Sequence, residues 1–213
     1  MLDNKSLNNQ KLISVERAAS ELRRGCTVVI LMGKSAILTA SGELTTDERL
    51  KEFKLISGAE PLIGLTYNRA NILKISPRSG DVALIQITDH MTSGVIASMA
   101  DPADDLVNFL QGPFQVSEVV PTKIHDAGVT ICKIAKLLPA AIFATPPGDP
   151  VTWAEEHNIL CVNADDIINY TVNDAESLNI VTSAKVPLDG AEETTMVAFR
   201  PSDGGTEHFA VVV

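Results

Sequence analysis

The chain has 213 residues, 45% hydrophobic and 21% charged, which suits one globular domain with an appendage or one and a half domains and excludes a disordered chain. Acidic residues outnumber basic ones 27 to 17, for a formal charge of −10 with no Lys/Arg cluster, so nucleic acid and anionic membrane surfaces are disfavoured as partners. No apolar run approaches the roughly 20 residues of a membrane span and the N-terminus lacks the apolar core of a signal peptide, so the expected location is cytoplasmic.

Residues 1–13 read as a loose polar arm, and Ser14 as the cap of a helix with an apolar face of Val15, Ala18, Ala19 and Leu22, stopped at Gly25. Thr27 to Met32 is a short β-branched run bounded by glycine, hence a buried strand, and Ala36 to Ala40 beyond the Gly33-Lys34-Ser35 turn is its neighbour. Thr46 caps a helix with Asp47 and Glu48 in its first turn, Leu50, Phe53 and Ile56 on its apolar face, and a Ser57-Gly58 stop. Pro61 to Thr66 is a strand, Tyr67 to Ile75 a short helix, Ser76 to Gly80 a break and Val82 to Ile87 a strand. Asp101-Pro102 starts a helix through Leu110, closed by Gln111-Gly112-Pro113.

Phe114 to Val120 reads as a strand, and Asp126 as the N-cap of an amphipathic helix carrying Val129, Ile131, Cys132, Ile134, Leu137 and Leu138, stopped by Pro139. Ala140 to Ala144 is a strand, Thr145 to Gly148 a turn, Asp149-Pro150 the start of a helix with Trp153, Ile159 to Val162 a strand and Ala164 to Tyr170 a short helix. Strands interleaved singly with helices predict an α/β or α+β fold, a mixed sheet covered by helices. Thr171 to Ser177 is polar and reads as a linker. Three β-like runs follow, Leu178 to Val186, Thr194 to Phe199 and His208 to Val213, with turns at Asp189-Gly190 and Ser202 to Gly205. A sheet ending on an apolar third strand is short of partners, so the expectation is a chain cut from something longer or a strand held by another subunit.

Little in this pattern announces chemistry. Cys26, Cys132 and Cys161 stand singly in apolar segments, without zinc or disulfide spacing. Gly33-Lys34-Ser35 lacks the preceding glycine of a phosphate loop and lies between two strands. Asp89-His90 reads as an ordinary loop pair, and Trp153, Tyr67 and Tyr170 as core or rim residues.

Several segments, in order, resemble the 3,4-dihydroxy-2-butanone 4-phosphate synthase family of the riboflavin pathway. V-E-R-A-A-S-E-L-R-R-G-C-T-V-V-I is similar to its first helix and strand, L-I-G-L-T at Leu62 to Thr66 to its L-I-C-L-P strand, and T-S-G-V-I-A at Thr92 to Ala97 to its T-T-G-I-S-A loop. His125 to Tyr170, with H-D-A-G-V-T-I-C-K-I-A-K-L-L-P-A-A-I-F, W-A-E-E-H-N-I-L and A-D-D-I-I-N-Y, follows its C-terminal half. The tail from Leu178, with A-K-V-P, Phe199-Arg200 and E-H-F-A-V-V, is similar to the first strands of GTP cyclohydrolase II, which many organisms fuse behind the synthase. The resemblance thus implies a domain over residues 14–170, a linker at 171–177 and the start of a cyclohydrolase domain at 178–213. It also implies a homodimer, magnesium for the synthase reaction, and, beyond Val213, a zinc site and GTP pocket in cis.

That reaction converts ribulose 5-phosphate to the four-carbon phosphate and formate, and it needs metal with convergent acids and bases. Where the family carries D-D-E-D-R-E-N-E-G-D, this chain has only Met32 to Ile37. The family's cysteine falls on Gly64, its Asp-Arg on Met99 and Ala100, its metal-binding His on Ile124 with the nearby Glu on Asp126, and its late Glu on Thr145. His125 and Asp126 remain as a displaced pair, although adjacent residues at a helix start point apart and Asp126 has a capping role to fill. The resemblance therefore implies a pseudoenzyme: a silent synthase-like domain, without catalytic residues or bound metal, acting as scaffold, dimerisation or regulatory partner of a GTP cyclohydrolase II domain. The alternatives are an active synthase using other residues and a module that binds a phosphorylated metabolite.

Overall fold

The computed structural model describes residues 4–76, 80–106, 113–202 and 204–213. They divide into two compact units, one spanning residues 17–168 and the other joining the start of the first helix to residues 169–213. Helix α1 runs from Asn4 to Arg23, so residues 4–13 are helical where a loose arm was expected, and Ser14 lies inside the helix instead of capping it. The expected face is present: Leu12, Val15, Ala18, Ala19 and Leu22 are all buried. The helix closes on Gly25, whose φ of 74° lets its N–H reach the Leu22 carbonyl while the Cys26 N–H reaches that of Glu21.

Strands β1 (Val28–Met32) and β2 (Ser35–Ser41) follow as an antiparallel hairpin in which Met32 pairs with Ser35. Only Gly33 and Lys34 lie between them. Gly33, at φ 60°, supplies the left-handed first position of a tight turn whose twist matches its strands. Helix α2 (Asp47–Ser57) has Thr46 accepting the Arg49 N–H and Gly58 in the left-handed C-cap, as its sequence signals require. Strand β3 (Leu62–Thr66), helix α3 (Tyr67–Ile72) and strand β4 (Val82–Gln86) come next. Of the break at Ser76 to Gly80, residues 77–79 lie outside those described.

Three expectations in the middle of the chain need correction. The Thr92 to Ala97 segment, matched to a loop, is part of helix α4 (Ser93–Ala100), with the Thr92 hydroxyl accepting the Val95 N–H. The helix expected from Pro102 is a 3-10 turn over Pro102–Leu106, and residues 107–112 lie outside those described. Phe114 to Val120 is not a strand. It makes one bridge, Val116 to Ile85, with the Gln86 N–H donating to the Gln115 carbonyl and the Ser117 N–H to that of Leu84, and so covers the outer edge of β4.

Helix α5 (Lys123–Ile134), strand β5 (Ala140–Ala144), helix α6 (Pro150–Glu156), strand β6 (Leu160–Asn163) and helix α7 (Ala164–Ile168) complete the larger unit. Its sheet has the order β4-β3-β5-β2-β1-β6, antiparallel except where β1 and β6 run parallel. All five residues of β5, near the middle, are buried. Alternation splits the sheet into two faces. Leu38, Ile63, Leu65, Ala83, Ile85 and Ile142 join Leu50 and Phe53 of α2 and Ile96 and Met99 of α4 in one core. The opposite face lies under α5, which packs on β1 through β5.

In the smaller unit, Tyr170–Ser177 is helix α8, so the polar stretch at Thr171 to Ser177 is helical. Strands β7 (Asn179–Lys185), β8 (Thr195–Arg200) and β9 (His208–Val212) form an antiparallel sheet in that order. Every residue of β7 is exposed.

Candidate functional site

The face beneath α5 brings together Gly64 and the start of the helix that carries His125 and Asp126. Gly64 lies in the middle of β3, opposite Ala141 of β5 and Leu84 of β4. A Cβ at residue 64 would come within 2.5 Å of Cε2 of Phe143, so the aromatic ring fills the space into which a side chain would project. Gly128 on α5 meets the same ring more closely still. Glycine inside a helix costs roughly 1 kcal/mol relative to alanine. Here it admits a phenylalanine between helix and strand, and Phe143 is 2% exposed. The sequence hid this plug because Phe143 reads as one more apolar residue in A-A-I-F-A.

His125 packs edge-on against that ring, the centroids 5.3 Å apart and the planes at 79°. Helix α5 begins after Thr122, not at Asp126. The Thr122 N–H donates to Nδ1 of His125 at 3.1 Å, the half of a capping box that the third helical residue normally supplies through Glu or Gln. A ring nitrogen accepting that bond is unprotonated, which places the proton of neutral imidazole on Nε2. Burial pushes the His125 pKa below its usual value. Asp126 is half-buried, and burial followed by the charge of Asp81 pushes its carboxyl above the usual range. His125 is therefore a helix-capping imidazole, and Asp126 a half-buried acid with surroundings of its own.

The remaining marked positions do not join them. Met99 and Ala100 are 0% and 3% exposed on α4, inside the apolar core, and Ile124 is buried at 3%. Thr145 is exposed beyond the end of β5. The β1–β2 connection is the two-residue turn already described, with no acidic group in it. Magnesium requires hard oxygen donors converging in near-octahedral array. Ile124, Met99, Ala100 and Gly64 offer no side-chain oxygen and the Nδ1 of His125 is engaged, which leaves Asp126 as a single carboxylate where several must converge, so these residues do not fit that ion. Among the described residues no three His, Cys, Asp or Glu side chains gather to hold a metal.

Polar constellations that the sequence did not signal lie elsewhere. Arg69 of α3, 6% exposed, donates from Nε to the Met99 carbonyl at 2.7 Å and from Nη2 to those of Ser98 and Asp101. Its other donors hold Asp105 in a two-point ion pair at 2.6 and 2.8 Å, and this keeps the Asp105 carboxyl below its usual range. The cluster fastens α3 to the end of α4 and the following turn. A cleft of about 250 Å³ opens between α2 and residues 87–92. Lys54 there meets both Glu60 and Asp89, and Asp47 accepts the Ser93 N–H at the start of α4. Asp89 is thus an ion-pair partner, in line with the ordinary reading of Asp89-His90. Trp153 stacks on His157 beside a shallow pocket at Pro147 to Glu156 and packs partly into the core, whereas Tyr170 is buried and Tyr67 exposed.

Cys132 is fully buried, its Sγ donating to the Ala140 carbonyl, and burial with the nearby Glu43 pushes its thiol to about 12. Burial also raises Cys26 and Cys161. None of the three has the lowered pKa of a reactive thiol. Among the described residues no helix is long and apolar enough to cross a membrane.

Comparison with known proteins places this geometry. No family model matches the chain. It is 34% identical over 204 residues to a GTP cyclohydrolase-2 of Azospirillum brasilense, a match covering 94% of this chain and 53% of that protein. The chain thus spans about half the length of this curated relative. Among solved structures, the two-domain 3,4-dihydroxy-2-butanone 4-phosphate synthase RibBX of A. baumannii aligns with a TM-score of 0.59 at 14% identity, over 93% of this chain and 69% of its own. The synthase of Candida albicans aligns at 0.56 and 18% identity over 74% of this chain and 96% of its own. A synthase in complex with two magnesium ions aligns at 0.54 and 15%, over 74% and 95%. The mixed six-stranded sheet and its helices have the fold of 3,4-dihydroxy-2-butanone 4-phosphate synthase.

Proposed function

We propose that this chain is the synthase-like portion of a riboflavin-biosynthesis protein, catalytically silent at residues 14–170, and a folded scaffold or regulatory partner for a GTP cyclohydrolase II domain that begins near residue 178. The observation that carries the silent reading is the Phe143 ring lodged against Gly64 and Gly128. Where the resemblance calls for a cysteine, the space is filled, and the acids, metal ligand and acidic loop that would act with it are replaced by Met99, Ala100, Ile124, Thr145 and a two-residue turn. Recovering the chemistry requires a new cavity as well as new residues. The cyclohydrolase reading rests on the 34% identity to GTP cyclohydrolase-2, and the homodimer on the resemblance to the synthase.

The test is formate release from ribulose 5-phosphate with magnesium. The expected result is no formate above the protein-free control, and turnover would overturn the silent reading. In the full-length protein, GTP turnover is expected to persist after Phe143→Leu, which leaves an apolar residue in the same space.

A further inference from the structure

Helix α6 and the turn before it form an open pocket of about 350 Å³, lined by Pro147, Gly148, Asp149, Thr152, Trp153 and Glu156. Its chemistry is one-sided. Pro147 and the indole of Trp153 give it apolar walls, the carboxylates of Asp149 and Glu156 give it negative charge, and neither lysine nor arginine lines it. The surrounding sequence keeps that sign: from Leu137 to Ile168 the chain has five acids, Asp149, Glu155, Glu156, Asp165 and Asp166, and no lysine or arginine. Asp149 is exposed, and hydrogen bonds to its Oδ2 from the Thr152 N–H and hydroxyl hold its carboxyl below the usual range, so it stays ionised. Glu156, also exposed, has no ion-pair partner among the described residues. The Trp153 ring is held in place, partly packed into the core and stacked on His157 with centroids 4.4 Å apart. A fixed indole beside two carboxylates attracts an organic cation: the ring quadrupole and the negative charges draw the head group, and the apolar walls accept its alkyl substituents.

We propose that this pocket is a binding site for an alkylammonium or quaternary ammonium group, presented by a free small amine or by a lysine side chain of a protein partner. It uses none of the positions that carry the silent reading, so a domain without synthase chemistry has a ligand site of its own.

Trp153 is the single tryptophan of the chain, and its indole N–H resonance therefore reports the pocket directly. Choline, titrated at constant ionic strength, is expected to shift that resonance along a saturating curve with a Kd of about 1 mM or tighter. Its uncharged isostere 3,3-dimethylbutanol is expected to bind about tenfold more weakly. Glu156→Gln and Asp149→Asn, the second of which keeps a helix-capping side chain, are each expected to weaken choline binding about threefold while the melting temperature stays near that of the unaltered chain. Nα-acetyl-lysine methylamide separates the two sources: tighter binding of it than of choline assigns the site to a protein side chain, and the reverse order to a small amine. Saturation with neither cation, an equal response to 3,3-dimethylbutanol, or affinities unmoved in both variants would each overturn the proposal. Formate release has no part in this experiment, so failure here is separable from failure of the silent reading.

Discussion

Phe143 and Phe209 both sit on strands, yet the first is 2% exposed and the second 61%. Strand β5 has neighbours on both sides and α5 above it, whereas β9 is the outer strand of three whose faces are largely open. A sheet gains stability only when a face is covered, and three strands without a packed layer are marginal. Within one chain, then, similar β-forming residues yield a close-packed core in one place and an exposed strand in the other. The same truncation separates the two. Phe143→Ala is expected to cost about 3–5 kcal/mol in chemical denaturation, since it empties a close-packed site. Phe209→Ala in the dilute chain should stay within about 0.5 kcal/mol. Comparable losses at the two positions would abolish the contrast.

A smaller effect probes how tightly the first site is closed. Gly64→Cys pushes a side chain into the Phe143 ring and should cost about 1–3 kcal/mol by overpacking. Combined with Phe143→Ala it should cost less than the two singles summed, because the second change removes the obstacle to the first. Additive losses would show that the ring is not what excludes residue 64. Thr39, paired with Phe143 across β2 and β5, is 0% exposed, and its hydroxyl has no hydrogen-bond partner among the described residues. Thr39→Val keeps the shape and removes the stranded hydroxyl, so it is expected to stabilise the chain by about 1 kcal/mol. A destabilised variant would mean that the hydroxyl is satisfied.

Strands were legible in the sequence because β-branched runs bounded by glycine and proline leave few alternatives, and β1, β2, β3, β5 and β6 lie within a residue or two of where those runs predict. Helix α4 was not. Its S-G-V-I-A-S-M-A reads as a loop until Thr92 is seen capping it and Ile96 and Met99 are seen buried. The capping residue of α5 was misplaced for a related reason: Asp126 is the stronger cap by composition, but Thr122 has His125 three residues on, and that spacing decides. The vacancies at Gly64, Met99, Ala100, Ile124 and Thr145 could be read from the resemblance alone. That Phe143 occupies the first of them could not, since it depends on β5 pairing with β3 and on α5 crossing above, contacts far apart in sequence. The Arg69 cluster was hidden likewise, its partners lying 29 to 36 residues away.

The smallest expected effect concerns the imidazole against the Phe143 ring. Burial holds the His125 pKa below its ordinary value of roughly 6.5, so as pH falls through that value the unfolded chain takes up a proton before the native chain does. Stability from this group is fully present above about 6.5 and declines below it, until the native imidazole also protonates. Asp126 works in the opposite sense. Its raised carboxyl pKa means that the native chain binds the proton first, so stability rises as pH falls through that raised value toward the ordinary one near about 3.9. The two windows are approached from different sides, which lets them be separated. His125→Gln keeps an acceptor for the Thr122 N–H and removes the titration. The melting temperature of the unaltered chain should therefore begin to fall just below pH 6.5, and that of His125→Gln should stay flat there. Identical slopes would mean that His125 protonates as freely in the native chain as in the unfolded one, and that the ring packing around Phe143 is looser than its burial implies.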